Sequence, residues 1–239
     1  MNLLPAALFI AQAGAVRGPD EASSSQVIAE TATIPKSSIA REVASPPGLP
    51  TIGKWMLDGK LEVASWLGKK VRGKQVREPI NVIVLDPFAA SPEQATRRLV
   101  DGLRAAGYKI VAGHSSGYRA IIGGSLVPQL PSGKTEAFAD APPDRASDHG
   151  RMFGPFPLEH GFLFSGAFSL EVVSHHIAGH LYGSFNHARD DLATRLDEGA
   201  AYHVTGYVSL DNAIVGDPEY TAGDHDGVAV VLTASPPLP

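Results

Sequence analysis

The sequence predicts an α+β domain, a largely antiparallel sheet with two helices packed on one face, preceded by a linker and an amphipathic helix. Three observations carry that expectation. From residue 79 onward the patterning reads β-α-β-β-β-β-α-β-β, with too few helices for a doubly wound sheet. Two segments of that region show a 3.6-residue apolar period framed by start and stop residues. Gly 25 and Pro 19 among 239 residues exceed average usage and mark a chain rich in turns.

Taken in order, residues 1–15 (MNLLPAALFIAQAGA) form a short apolar run ending in small residues, and Ala11-Gln12-Ala13 fits a signal-peptide cleavage pattern. No Lys or Arg precedes the run, which is too short to span a bilayer. Residues 16–50 are rich in Ser, Ala, Pro and Glu, hold no sustained period and read as a flexible linker. Within 51–78, Ile52, Trp55, Met56, Gly59, Val63, Trp66 and Leu67 recur at three- and four-residue steps, predicting an amphipathic helix over 52–70. Seven Lys/Arg against three acids over 54–78 make this segment basic. Its two Trp suit either a membrane surface or docking onto the domain that follows.

The main domain is expected over 79–234. Ile80–Leu85 is a short β-branched strand. Ser91 caps a helix with Pro92 at its first position, Ala95, Leu99, Leu103 and Ala106 as its stripe, and Gly107 as its stop. Strands are predicted at 108–112, 118–122, 125–127, 151–156, 162–173, 202–210 and 228–233, with a Pro-rich loop over 128–148. A second helix spans Asn186 to Glu198, with Ala188, Leu192 and Leu196 inward and Gly199 after it.

Composition narrows the chemistry. A formal net charge of −5 argues against nucleic acid as partner, which would call for a basic surface. The absence of Cys removes disulfides, thiolate metal sites and cysteine nucleophiles, leaving His, Ser and carboxylates. Gly113-His114-Ser115-Ser116-Gly117 satisfies the G-x-S-x-G elbow, with Ser115 as nucleophile and Asp217 and His225 as downstream partners. Yet Gly123, Gly124 and Pro128 make a poor helix where an elbow needs one. His114-Ser115-Ser116 and His203-Val204-Thr205 resemble the paired motifs of two-histidine phosphoesterases, with His114 and His203 as acid and base and Thr205 on the phosphate. His176 and His180 would share a helical face as metal ligands, although no Glu completes a zinc signature and Gly179 and Gly183 weaken that helix. No cofactor is assigned.

Several segments, read in order over about 79–210, resemble the LssY C-terminal-like domain family. Leu103-Arg-Ala-Ala-Gly-Tyr108 looks like its AAGW helix end, and His149-Gly-Arg-Met-Phe153 like its H-x-R-x-W strand. Gly166-Ala-Phe-Ser-Leu-Glu171 looks like its GAASRD strand, and His180 with Ala188-Arg-Asp-Asp-Leu192 like its His and E-R-D helix. Phe153 stands where that family has Trp, and Glu171 where it has Asp. The resemblance implies an α+β accessory domain near a membrane and supplies no reaction. Beside it, His149 and Arg151 alternate on one strand face, and Arg189 and Asp190 open the second helix. These four residues form a candidate site for an anionic, phosphate-bearing small molecule, or else an ion-pair network. The expected function is therefore a periplasmic or extracellular binding or accessory domain. The alternative is a hydrolase of a phosphoryl or acyl ester using His114/His203 or Ser115.

Overall fold

A computed structural model describes residues 43–173 and 180–237, which build an α+β fold dominated by antiparallel sheet, with two α-helices. The signal-like segment, nearly all of the expected linker, and His176 lie outside the described residues. The strands in chain order are β1 (Val43–Ala44), β2 (Ile52–Gly53), β3 (Ser65–Val71), β4 (Lys74–Arg77), β5 (Val82–Asp86), β6 (Lys109–Ala112), β7 (Arg119–Ile122) and β8 (Ser125–Leu130). They continue as β9 (Glu136–Ala139), β10 (Ser147–Pro157), β11 (Phe162–Val173), β12 (His180–Ser184), β13 (Tyr202–Ser209), β14 (Tyr220–Thr221) and β15 (Val228–Ala234). The helices are α1 (Pro92–Ala105) and α2 (Phe185–Glu198).

The large sheet runs β1-β2-β7-β8-β10-β11-β5-β15-β13, with β12 on the far part of β11 and the β6–β9 pair joined to β10. Its long central hairpin, β10 with β11, keeps register from Ser147↔Glu171 to Phe153↔Ser165. The β5–β15 contact is parallel, whereas β5–β11 and β13–β15 are antiparallel. A small sheet, β14-β4-β3, stands beside it.

Alternation along the strands gives the large sheet a core on each face. Val82 and Val84 of β5 enter one core with Phe164, Phe168, Val230 and Leu232, and there they meet both helices. Ala95, Leu99 and Leu103 come from α1, and Ala188, Leu192 and Leu196 from α2. Ile83 turns the other way, into a core with Ile52, Met56, Ile80, Ile122, Phe153 and Leu163. Ser91 caps α1 through the Gln94 amide at 3.2 Å, and Ser184 caps α2 through the His187 amide at 2.8 Å. Asn81, wholly buried, bonds the Phe168 amide and carbonyl and the Phe185 carbonyl, tying β5, β11 and α2 together. Among the described residues no helix is long and apolar enough to cross a membrane.

Two expectations are corrected. Residues 52–70 form β2, turns and β3 rather than an amphipathic helix, with Leu57 bridging Val63 and Arg119. Trp55 and Trp66 are 5% and 1% exposed, so neither indole is presented to a membrane surface in this fold. The apparent helical period arises because Ile52 and Met56, Leu57, and Trp66 face three separate cores. The supposed loop over 128–148 contains the end of β8, all of β9 and the start of β10. Here Pro128 stands opposite Arg119 within β8 without ending the strand.

Candidate functional site

On the face of β10 and β11 away from the helices, the pleat replaces apolar side chains with His149 and Arg151 on one strand and Ser169 and Glu171 on its neighbour. Ser169 accepts from the Trp66 indole at 3.2 Å, which fixes β3 beneath these residues. Glu78, directly after β4, approaches from the side, held by backbone bonds to Ala64 and Met56. The segment after β6 brings His114 and Ser115 over the top, with the His114 amide bonded to the Thr135 carbonyl at 2.9 Å. His180, first residue of β12, closes the remaining edge opposite Val173. Trp66, Glu78, His114, Ser115, His149, Arg151, Glu171 and His180, with Gly113 and Pro143, line a cleft of about 330 Å³.

Ionisable groups are packed closely there. Ring nitrogens of His114 and His149 and a carboxylate oxygen of Glu171 all lie within 4.8 Å of one another. The imidazoles of His114 and His149 stack at 5.0 Å with 17° between their planes. His149 Nε2 stands 3.4 Å from Glu171 Oε1, and His180 Nδ1 pairs with Glu171 Oε2. Burial, reinforced by Arg151 and the neighbouring imidazoles, pushes His114 down to about 4 and His149 well below the usual histidine range. Both rings are therefore neutral near pH 7 and carry a lone pair. Glu78 is pushed up to about 7 by burial, opposed by Arg151 and assisted by Glu171.

Arg151, 4% exposed, donates to the Ser115 carbonyl at 2.7 Å and stacks over Tyr118 at 4.7 Å. Its Nε–H has no hydrogen-bond partner among the described residues. A buried guanidinium with an unused donor beside a cleft can receive an anionic oxygen.

The donor set is of the chemical kind that holds a divalent transition metal. Four ligands at about 2.0–2.1 Å in a tetrahedron stand roughly 3.3 Å apart. The 3.4 Å between His149 Nε2 and Glu171 Oε1 matches that ligand–ligand edge and is longer than a charge-assisted hydrogen bond. Neutral imidazoles and an ionised carboxylate are the forms that bind zinc. Three such ligands leave a fourth position open, as in catalytic rather than structural zinc sites.

The remaining nominated residues are dispersed. His203 and Thr205 lie on β13, the far edge of the sheet, four strands from β10 in the order β10-β11-β5-β15-β13. At about 4.8 Å per strand that is roughly 19 Å, which rules out pairing with His114 across one phosphate. His203 is engaged by Asp197 at 3.3 Å and Ser235 at 3.0 Å, and Thr205 by Thr233 at 3.0 Å. Ser115 Oγ bonds the Tyr118 hydroxyl at 2.6 Å, no helix follows it, and His225 is bonded to Asn212 at 2.9 Å. The elbow reading therefore lacks both its turn and its base. Arg189 and Asp190 do not line the cleft. Arg189 binds Asp190 and Asp226, each at 2.7 Å, as an ion-pair network at the start of α2. His180 reaches the cluster from a strand, so the helical His176/His180 pairing does not hold for the described member.

No protein-family profile, curated protein or solved structure matches the chain. The site accordingly rests on its own geometry. Within it, His149, Arg151 and His180 are candidates from the sequence, whereas Glu171 enters there only through the family resemblance. Glu78 is not among the candidates from the sequence, where it is one of three acids in the basic 54–78 segment. Its signal is position, a carboxylate standing one residue away from the apolar strand at 80–85, with Pro79 between.

On the opposite face of β10, Asp148 meets Asp140 and Asp191. Arg195 spans that group, 2.7 Å from Asp191 and 3.1 Å from Asp140, while Tyr108 donates to Asp191 at 3.0 Å. This second cluster is a charge network joining α2 to β9 and β10.

Proposed function

We propose that this protein is a metal-dependent binding domain, in which His114, His149 and Glu171 hold a divalent transition metal of zinc type. The open coordination position and Arg151 then receive a small anion. The single observation that carries the reading is the gathering of three ligating atoms within 4.8 Å on residues from three separate segments, His149 and Glu171 buried and His114 half-buried. Such a set is costly to bury without a compensating cation. His180, already paired with Glu171, orients that carboxylate from the outer shell. Arg151 with its unused Nε–H supports an anionic, phosphate-bearing ligand. The signal-like start at 1–15 supports an envelope setting for such a domain.

Equilibrium dialysis of the full chain against zinc chloride tests the metal. The expected result is one zinc per chain, with binding weakened more than about 100-fold by His149→Ala or Glu171→Gln, beyond the effect of losing an outer-shell partner. Zinc uptake that His149→Ala leaves unchanged would overturn the assignment.

A further inference from the structure

The geometry points to a hydrolytic activity at this cleft, with Glu78 as general base and then general acid on a small phosphate ester held by Arg151. This inference rests on the metal centre proposed above. Three features of the cleft carry it. A tetrahedral metal held by these three ligands would keep one coordination position for water. Glu78 and Glu171 line the same cleft from different elements, so one carboxylate can ligate while the other remains available for proton transfer. Arg151 faces the cleft too, and its buried, unpartnered Nε–H lacks the acceptor that a phosphoryl oxygen would supply.

The charges select the substrate. Imidazoles that ligate a metal are neutral, so a divalent cation and Arg151 together outweigh the carboxylates of Glu171 and Glu78, and the loaded cleft would carry net positive charge. That favours an anionic ester over a neutral acyl ester, and it favours the charge that develops on a phosphoryl group in flight. The cleft volume of about 330 Å³ suits a small headgroup-sized ester.

The reaction balances with one water. The Glu78 carboxylate takes a proton from the water at the open position as the water oxygen forms a bond to phosphorus. The bond from phosphorus to the ester oxygen breaks, and the departing alkoxide takes the proton from the Glu78 carboxyl. Inorganic phosphate and an alcohol leave; nothing is oxidised or reduced.

The test uses the full-length chain loaded with zinc, with p-nitrophenyl phosphate and bis(p-nitrophenyl) phosphate as probes and p-nitrophenyl acetate as the neutral comparison. Expected are turnover of a phosphate probe, loss of roughly 100-fold or more of kcat in Glu78→Gln with zinc stoichiometry unchanged, and a raised KM in Arg151→Met. His203→Ala, remote from the cleft, should match the parent chain. Wild-type turnover in Glu78→Gln, a preference for the acetate probe, or bound zinc with no turnover of either phosphate probe would each overturn the hydrolytic inference while leaving the metal centre standing. Failure to bind zinc would instead overturn the metal centre itself.

Discussion

At the scale of single residues, consecutive positions on β10 serve different ends because the pleat sends them to opposite faces. His149 enters the cleft, whereas Asp148 enters the carboxylate group with Asp140 and Asp191. Burial, reinforced by Asp140 and Asp191 and opposed by His187, pushes the Asp148 carboxyl up from 3.8 to about 7. A folded-state value above the unfolded one means that the native state holds an extra proton between those limits. This group's contribution to stability is therefore full below about pH 4 and is lost as pH rises towards 7. Asp148→Asn removes the ionisation and offers an amide donor to the adjacent carboxylates. We expect it to be more stable than the parent at pH 8, by about 1–2 kcal/mol, with little difference at pH 4. Urea unfolding at the two pH values checks this. A variant destabilised equally at both would show that Asp148 matters through packing instead.

At the scale of elements, α1 shows what was legible and what was not. Its cap at Ser91, its Pro92 start and its stripe of Ala95, Leu99 and Leu103 were readable because they depend on residues a few positions apart. What could not be read is its fit to the sheet. Gly102 lies against Tyr202, and a methyl group there would stand 2.6 Å from the ring. Gly102→Ala should gain up to about 1 kcal/mol of helix propensity yet destabilise the protein by about 1–3 kcal/mol through overpacking. A raised midpoint in thermal unfolding would refute that ordering. The same divide explains the 52–70 segment, whose three- and four-residue spacing is real but is produced by short strands and turns that visit several cores. It explains the site as well. His149 and Arg151 can be nominated individually from strand positions, but their union with Glu171, His114 and Glu78 requires the pairing of β10 with β11 and the seating of two distant segments on them. His203 fails for that reason too, since a matching triplet says nothing of how many strands lie between its members.

At the scale of the whole molecule, the sheet holds an apolar core on each face, and the cleft interrupts the side opposite the helices with Glu78, His149, Arg151 and Glu171, all less than 9% exposed. Buried charge of this density lowers the stability of the empty fold unless it is paired, and the pairing present is incomplete at Arg151 Nε. A cation that ligates His114, His149 and Glu171 only when β10, β11 and the 113–118 segment are assembled binds the native state and not the unfolded chain. By mass action, zinc at 100 times its dissociation constant adds about 2.7 kcal/mol. For a chain of this size, that amounts to a rise in Tm of roughly 5–10 °C. The rise should reverse with EDTA and should be absent from Glu171→Gln, while Asp140→Asn, on the other face of the sheet, should keep it. Calorimetry of the parent chain and the two variants, each with zinc and after EDTA, decides the matter. Stabilisation that survives Glu171→Gln but not Asp140→Asn would move the cation to the helix face, because the two clusters share only the strand between them and no ligand.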